Sequence, residues 1–324
     1  MQVVQFSERS TSDLGPLFAE YGFGRYCHDR FLDIRQSRRL EHDRALAFLR
    51  LNPTSSWLAV DVGKSQGILG MRISQWDTEF WGVKFATLDH LVTLGSEPER
   101  RVVCEHLLRT ADAWCEQLDV DFCSARIDGH DVTSLQMLES HGFRYIETTV
   151  ENYVDLRRKE AAFLPRSSSL RPPRPDEGNS LVTIAQDAFL SHRFYADDRF
   201  PRHKVDDMYR LWVENSLRDP EWKTLVLEAD GAVRGFITYR IEDLTSYFGL
   251  QFAKWRMAAL SKSNRGLGYG VVLFRGAMES VRGQVQIVDS GLTTRNLHSL
   301  NLHTKVGFRT ACCSVTLHRW QHEP

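Results

Sequence analysis

Apolar positions along this chain alternate with period two in short runs and recur at helical spacing in longer ones, which predicts an α/β protein. In the first half, Val3–Phe6 reads as a strand, and a charged helical region begins at Thr11-Ser-Asp-Leu and reaches about Arg50. Ser56–Asp61 and Gly67–Ser74 read as paired strands about the turn Gly63-Lys-Ser-Gln. After Trp76-Asp-Thr-Glu-Phe-Trp-Gly82 comes a strand over Phe85–Leu94. A helix from about Pro98 to Leu118 has Val102, Leu107 and Trp114 among its apolar positions. A strand over Asp121–Ile127, a helix over Thr133–Ser140 closed by His141-Gly-Phe143, and a strand over Tyr145–Leu156 complete the half.

The same order then returns. Ser169-Leu-Arg-Pro runs into a helix start, and Leu181–Phe189 and Val205–Ser216 read as helices. Leu225–Glu228 and Ala232–Ile241 form a hairpin about Ala229-Asp-Gly-Ala. The strand Leu250–Leu260 leads into a glycine-dense loop that ends at Gly270. The next helix places Val271, Phe274, Met278 and Val281 at helical spacing, with Gly283 as its stop and Val285–Val288 as the following strand. Both halves close alike, His141-Gly-Phe-Arg-Tyr145 against Lys305-Val-Gly-Phe-Arg-Thr310. A tandem repeat of one fold is expected, with residues 1–160 as the first domain, 161–168 as a polar linker and 169–324 as the second.

Composition narrows the class. The 324 residues are 42% hydrophobic and 26% charged, normal for a globular chain that buries a core. A net charge of −1 gives no reason to expect nucleic acid or an anionic membrane as partner. No apolar run approaches the roughly 18–20 residues that span a bilayer, and the first residues lack a charged segment followed by an apolar one. Cys27, Cys104, Cys115, Cys123, Cys312 and Cys313 contain no C-x-x-C pair and read as reduced, mostly buried thiols, so a cytoplasmic location is expected. His298 and His303, five residues apart, lack i,i+4 spacing, and no metal is expected.

The chemistry concentrates in the loop before the glycine-led helix. Gly266, Gly268 and Gly270 alternate there, and a helix start behind them offers unpaired N–H groups and the positive end of the helix dipole to an anion, best a pyrophosphate. Arg265 adds a charged donor. An ordinary strand-to-helix turn would look similar. A dinucleotide-binding fold shares the order strand, glycine loop, helix, strand, acid, with Asp289 as the acid. The third glycine of that fingerprint falls on Val271, however, and only 35 residues follow Asp289, which disfavours an NAD(P)-dependent oxidoreductase. The pattern present, Arg265-x-x-Gly268-x-Gly270, resembles the acyl-CoA pyrophosphate loop of the GNAT acetyltransferase superfamily, Q/R-x-x-G-x-G/A. The stretch Asn296-Leu-His-Ser-Leu-Asn-Leu-His-Thr-Lys-Val-Gly-Phe308 resembles that family's late helix, Asn-x-x-(Ala/Ser)-x-x-x-Tyr-x-x-x-Gly-Phe.

The resemblance implies an α/β architecture of tandem GNAT-like halves, each a mixed, mostly antiparallel sheet flanked by helices. It implies acetyl-CoA as co-substrate, held by Leu260, Arg265, Gly266, Leu267, Gly268, Tyr269, Gly270 and Asn296, and a primary amine as acceptor. The late-helix tyrosine, which protonates the leaving thiolate in the family, is His303 here. An imidazole can take an ammonium proton and an imidazolium can protonate a thiolate; a polar helix residue facing solvent or a carbonyl is the other reading. Trp76-Asp-Thr-Glu-Phe-Trp-Gly82 resembles a motif of nucleotide-sugar N-acyltransferases in this superfamily, of the kind acting on dTDP-4-amino-4,6-dideoxygalactose. Phe189-Leu-Ser-His-Arg-Phe-Tyr195, with Tyr209–Ser216, resembles their early-helix region. The expected acceptor residues are Trp76, Asp77, Phe80, Arg193, Tyr195 and Arg199, with a nucleotide-linked amino sugar as partner. Another amine (a peptide, amino acid or antibiotic) and a CoA-binding protein without turnover stay open. The matching stretch of the first half, Leu94-Gly-Ser-Glu-Pro-Glu-Arg-Arg101, has one glycine, and Glu97 and Glu99 would repel a pyrophosphate, so that half is expected to be a degenerate copy without a CoA loop.

Overall fold

Strands form where β-branched and aromatic residues concentrate, and helices where apolar residues recur every three or four positions. The first series is β1 (Gln2–Gln5), α1 (Leu14–Glu20), α2 (Ile34–Leu51), β2 (Ser56–Asp61), β3 (Lys64–Ile73), α3 (Gln75–Trp81), β4 (Phe85–Thr93), α4 (Glu97–Gln117), β5 (Phe122–Asp128), α5 (Val132–Ser140) and β6 (Arg144–Asp155). The second is β7 (Ser168–Arg171), α6 (Gly178–Gln186), α7 (Arg193–Ala196), α8 (Arg202–Arg218), β8 (Lys223–Ala229), β9 (Ala232–Leu244), α9 (Thr245–Phe248), β10 (Leu250–Leu260), α10 (Tyr269–Ser280), β11 (Ile287–Thr293), α11 (Leu297–Val306) and β12 (Arg309–Trp320). The computed structural model describes residues 1–7, 14–29, 31–61, 64–158 and 168–321. The expected helix start at Thr11–Asp13, Gly63 of the first hairpin turn and 161–167 of the linker lie outside them.

Two compact units result, one of Met1–Thr148 with Cys312–Pro324, the other of Thr149–Ala311. The first contains the sheet β1-β2-β3-β4-β5-β12, antiparallel except for β4 beside β5. The second contains β6-β11-β10-β9-β8-β7, antiparallel except for β10 beside β11. Each sheet is mixed and mostly antiparallel, as the tandem repeat predicts. The division differs from a cut at the linker, because β12 pairs with β5 (Ser314↔Asp128 to Trp320↔Phe122) and β6 with β11 (Ile287↔Asp155 to Thr293↔Thr149). An exposed sheet edge takes whatever strand offers the matching alternation, and each unit closes on the last strand of the other series.

Two elements depart from the sequence pattern. The Trp76 stretch is a helix, α3, stopped by Gly82 in the left-handed region at φ +74°. The strand expected at Val285–Val288 begins instead at Ile287, since pairing to β6 carries the ladder through the polar run to Thr293.

In the first unit, Leu107, Leu108 and Ala111 of α4 pack with Leu69, Ala86 and Cys123, while Leu17, Ala45 and Leu49 of α1 and α2 gather with Leu58 and Ile68. In the second, Leu273, Phe274 and Ala277 of α10 join Ile237, Ala253 and Trp255, and Leu181, Ala185 and Val213 of α6 and α8 join Phe236, Met257 and Ala259. Sheet residues alternate between these partners, so each sheet is covered on both faces. The six cysteines are free thiols, four of them buried. No helix among the described residues is long and apolar enough to cross a membrane.

His90 of β4 makes this packing pH-sensitive. Its ring meets Phe48 edge-on at 4.9 Å, and burial pushes its pKa from 6.5 down to about 4. Below pH 6.5 the unfolded chain binds a proton that the folded one refuses, so stability should fall as pH drops from 6.5 towards 4. Thermal melts of His90→Gln should lose that part of the slope; an unchanged slope refutes the assignment.

Candidate active site

The second unit opens where its one parallel pair separates. The β10–β11 ladder runs from Phe252↔Ile287 to Trp255↔Ser290, while β10 stays paired to β9 as far as Leu260↔Gly235 and β11 to β6 as far as Thr293↔Thr149. A register shift between Trp255 and Met257 bends β10 at the point of separation. Beyond it the Ser261 N–H donates to the Arg234 carbonyl at 2.9 Å. By the alternation of an antiparallel ladder, Ala258 and Leu260 turn their backbone groups the other way, into the opening. Ligands of α/β sheets bind at such carboxyl ends of parallel strands.

The glycine loop sits at the mouth. Gly266 and Gly268 have φ of +76° and +86°, and Gly268 is the N-cap of α10. Gly270 serves packing instead, since a Cβ there would stand 3.0 Å from Leu302 Cδ2 of α11. The Arg265 guanidinium is directed to backbone, with Nε donating to the Leu260 carbonyl (3.2 Å) and Nη2 to the Asp187 carbonyl (2.9 Å), which fixes the loop against the end of α6. The N–H groups of Leu267, Gly268, Tyr269 and Gly270 find no acceptor among the described residues. The Leu267 side chain is 67% exposed. Four free donors at the start of a three-turn helix make an anion cradle.

His303 and Asn296 land differently. The Asn296 side chain caps α11 by accepting from the Ser299 N–H at 3.1 Å. His303 is 3% exposed, with its ring edge-on to both Phe274 and Phe308. Its Nδ1 lies 2.7 Å from the Ser299 carbonyl and its Nε2 2.9 Å from Ser290 Oγ. A carbonyl only accepts, so the proton is on Nδ1, and Nε2 accepts from the Ser290 hydroxyl. Burial holds its pKa below the usual 6.5, against the opposing pull of the Ser299 carbonyl. The imidazole therefore meets the opening only through Ser290, the last β11 residue paired to β10.

Comparison with known proteins bears on this geometry. The profile of the Acetyltransferase (GNAT) family matches residues 185–308, which contain the opening, the cradle and α11. This segment belongs to the GNAT family. The chain is also 19% identical, over 259 residues, to the spore coat polysaccharide biosynthesis protein SpsD of Bacillus subtilis (strain 168), an alignment covering 79% of this chain and 84% of that protein. Among solved structures, a GCN5-related N-acetyltransferase from Sphaerobacter thermophilus superposes with a TM-score of 0.65 at 14% identity, covering 98% of this chain and 95% of the other. A tandem GNAT protein of the clavulanic acid biosynthesis pathway superposes with a TM-score of 0.55 at 14% identity, covering 100% and 99%. These likenesses show the tandem fold.

On the sheet face away from α10 and α11, the GNAT unit gathers aromatic and basic side chains. The Tyr195 hydroxyl donates to Asp206, and burial together with that carboxylate raises its pKa. Arg202 stacks over the Tyr195 ring at 5.4 Å, Arg193 lies over Phe194, and the Arg199 N–H donates to Asp197 in the same turn. Arg193, Tyr195 and Arg199 lie in α7 and the turn that follows it. Sequence reading missed Arg256, at the bend of β10, whose guanidinium lies 5.2 Å over Trp212 and 5.0 Å over Trp222. It also missed Glu151 of β6, buried against Gly291 so closely that a Cβ on that glycine would meet Oε2 at 2.7 Å. A glycine inside a strand is the signal that could have pointed there.

Trp76, Asp77 and Phe80 belong to the first unit. The Trp76 and Phe80 rings stack at 5.0 Å, Trp76 is 41% exposed, and Asp77 accepts from the Ser74 hydroxyl. In the same unit α4 stands where α10 stands in the GNAT unit, and its start is closed by its own side chains. The Glu99 carboxylate accepts from the Ser96 N–H and hydroxyl, both at 2.7 Å, in a capping box. Those hydrogen bonds hold its pKa below the usual carboxylate value.

Proposed function

We propose that this chain is an acetyl-CoA-dependent N-acetyltransferase whose acceptor is the amino group of a nucleotide-linked amino sugar. The observation that carries the reading is the set of four acceptorless N–H groups, 267–270, at the start of α10, beside the opening between β10 and β11. The CoA pyrophosphate would take those donors, and the pantetheine arm the backbone groups of Ala258 and Leu260. The thioester carbonyl would then reach the bend of β10.

In the reaction the amine nitrogen attacks the carbonyl carbon, a C–N bond forms, the C–S bond breaks and CoA leaves as a thiolate. Glu151 is the carboxylate suited to take the ammonium proton, since Gly291 leaves it room beside the last β10–β11 pair. Neutral His303 would take the nitrogen's second proton through the Ser290 hydroxyl, and the imidazolium so formed would return it through that hydroxyl to the thiolate. The sugar part of the reading draws support from the relative in spore coat polysaccharide biosynthesis and from the arginines and aromatic rings about Tyr195. The closed start of α4 supports a first unit that binds no CoA.

The test is a panel assay that follows thiol release and product mass, with acetyl-CoA and a dTDP-4-amino-4,6-dideoxysugar, a free amino sugar, amino acids and a peptide as acceptors. Preference for the nucleotide-linked sugar by at least tenfold in kcat/KM is expected. Turnover of amino acids or peptides alone would overturn the acceptor, and no binding of acetyl-CoA the enzyme.

A further inference from the structure

Three potential ligands converge within the first unit. His28 lies in the loop after α1, and Asp128 and His130 in the turn that leaves β5. His28 Nε2 is 2.7 Å from Asp128 Oδ2, and His130 Nδ1 is 3.1 Å from Asp128 Oδ1. The two imidazoles stack at 4.2 Å, and one ligand atom from each residue falls within 4.8 Å of the others. His28 stands 100 residues from Asp128, so no spacing along the chain announces the pairing.

Both segments are held in place by contacts that do not involve the three side chains. The Arg25 carbonyl accepts from Cys312 Sγ at 3.2 Å, the Tyr26 carbonyl from the Ser37 hydroxyl at 3.0 Å, and the Cys27 N–H donates to the Gly24 carbonyl at 2.9 Å. Asp128 is fixed by its pairing with Ser314 of β12 and by the Asp131 N–H on its carbonyl at 3.0 Å. A site on such supported segments needs little rearrangement to close on an ion. Two imidazole nitrogens and a carboxylate oxygen are borderline donors that suit zinc. Tetrahedral zinc with bonds of about 2.0 Å sets its ligand atoms about 3.3 Å apart, near the 2.7 and 3.1 Å of the two histidine–aspartate pairs and inside the 4.8 Å that bounds the set. The Asp128 side chain is 7% exposed while that of His130 is 56% exposed, so the cluster has one buried wall and one side towards solvent.

We propose that His28, Asp128 and His130 form a zinc site, with its fourth position open to water or an oxygen ligand. Each imidazole must present a lone pair at the nitrogen that now donates to Asp128. A neutral ring does so by carrying its hydrogen on the other nitrogen, and a charged ring by releasing a proton. Three protein ligands with an open position distinguish such a site from closed structural zinc.

The experiment titrates Zn²⁺ into the full chain after chelator treatment, against a chromogenic competitor, and repeats it with Co²⁺ to read visible absorption. One zinc per chain is expected, with a four- or five-coordinate cobalt spectrum and a raised Tm on loading. His28→Ala and His130→Ala should each weaken zinc binding more than tenfold, and His298→Ala should not. His130 is exposed enough that its variant should fold even if the His28 variant does not, and circular dichroism of each metal-free variant checks this. No saturable zinc in the wild type, or the wild-type affinity in a folded His130→Ala variant, leaves an ion-pair cluster and overturns the site.

Discussion

Gly268→Val should reduce CoA affinity by far more than tenfold. Gly268 is the N-cap of α10 at φ +86°, a conformation that a β-branched residue resists. The space beside its Cα is empty of protein, so a side chain there collides with nothing in the free chain and projects into the cradle of N–H groups. Strain and obstruction therefore act together on the bound state. Gly268→Ala separates them, because it keeps most of the strain with less of the bulk and should fall between wild type and Val. Isothermal titration of the folded variants with CoA reads the effect, and wild-type affinity in Gly268→Val would sink the assignment of the loop. Gly270→Ala acts by another route, through Leu302 Cδ2 at 3.0 Å, and should first lower stability.

His303→Ala should lower kcat by about 10²–10⁴, the usual cost of losing a positioned acid–base group, with little change in KM for acetyl-CoA. The imidazole accepts from Ser290 through Nε2, so Ser290→Ala should cost a similar factor and the double variant little more. The pH profile is the sharper readout. Burial depresses the His303 pKa below 6.5 and favours the neutral ring. As pH falls through that depressed value the ring gains a proton on Nε2 and can no longer accept from Ser290. The acid limb of kcat should accordingly lie below pH 6.5 and vanish in His303→Ala. A purely structural histidine would change Tm and leave the rate per folded molecule and its profile untouched.

Much of this protein was legible in its residues. The alternating runs, the repeat of the order of elements and the twin Gly-Phe-Arg endings set out two related α/β halves. Local chemistry marks the cradle too: Gly266 and Gly268 are needed for positive φ, and the helix behind them follows directly from the apolar spacing of Val271, Phe274 and Met278. Such features depend on neighbours in sequence, and sequence reports them.

What sequence could not decide depends on partners far along the chain. β6 and β12 follow near-identical helix ends and carry similar alternation, so nothing local says which sheet edge each takes; pairing to β11 and β5 does. His303 occupies the position of a family tyrosine by spacing alone. Its burial, its tautomer and its dependence on Ser290 came only when β11 was laid beside α11. Glu151 reached Gly291, and His28 reached Asp128, by the same means. Backbone preference acts over one or two turns of chain, whereas desolvation and hydrogen bonding act on whatever the packed core brings within a few ångströms.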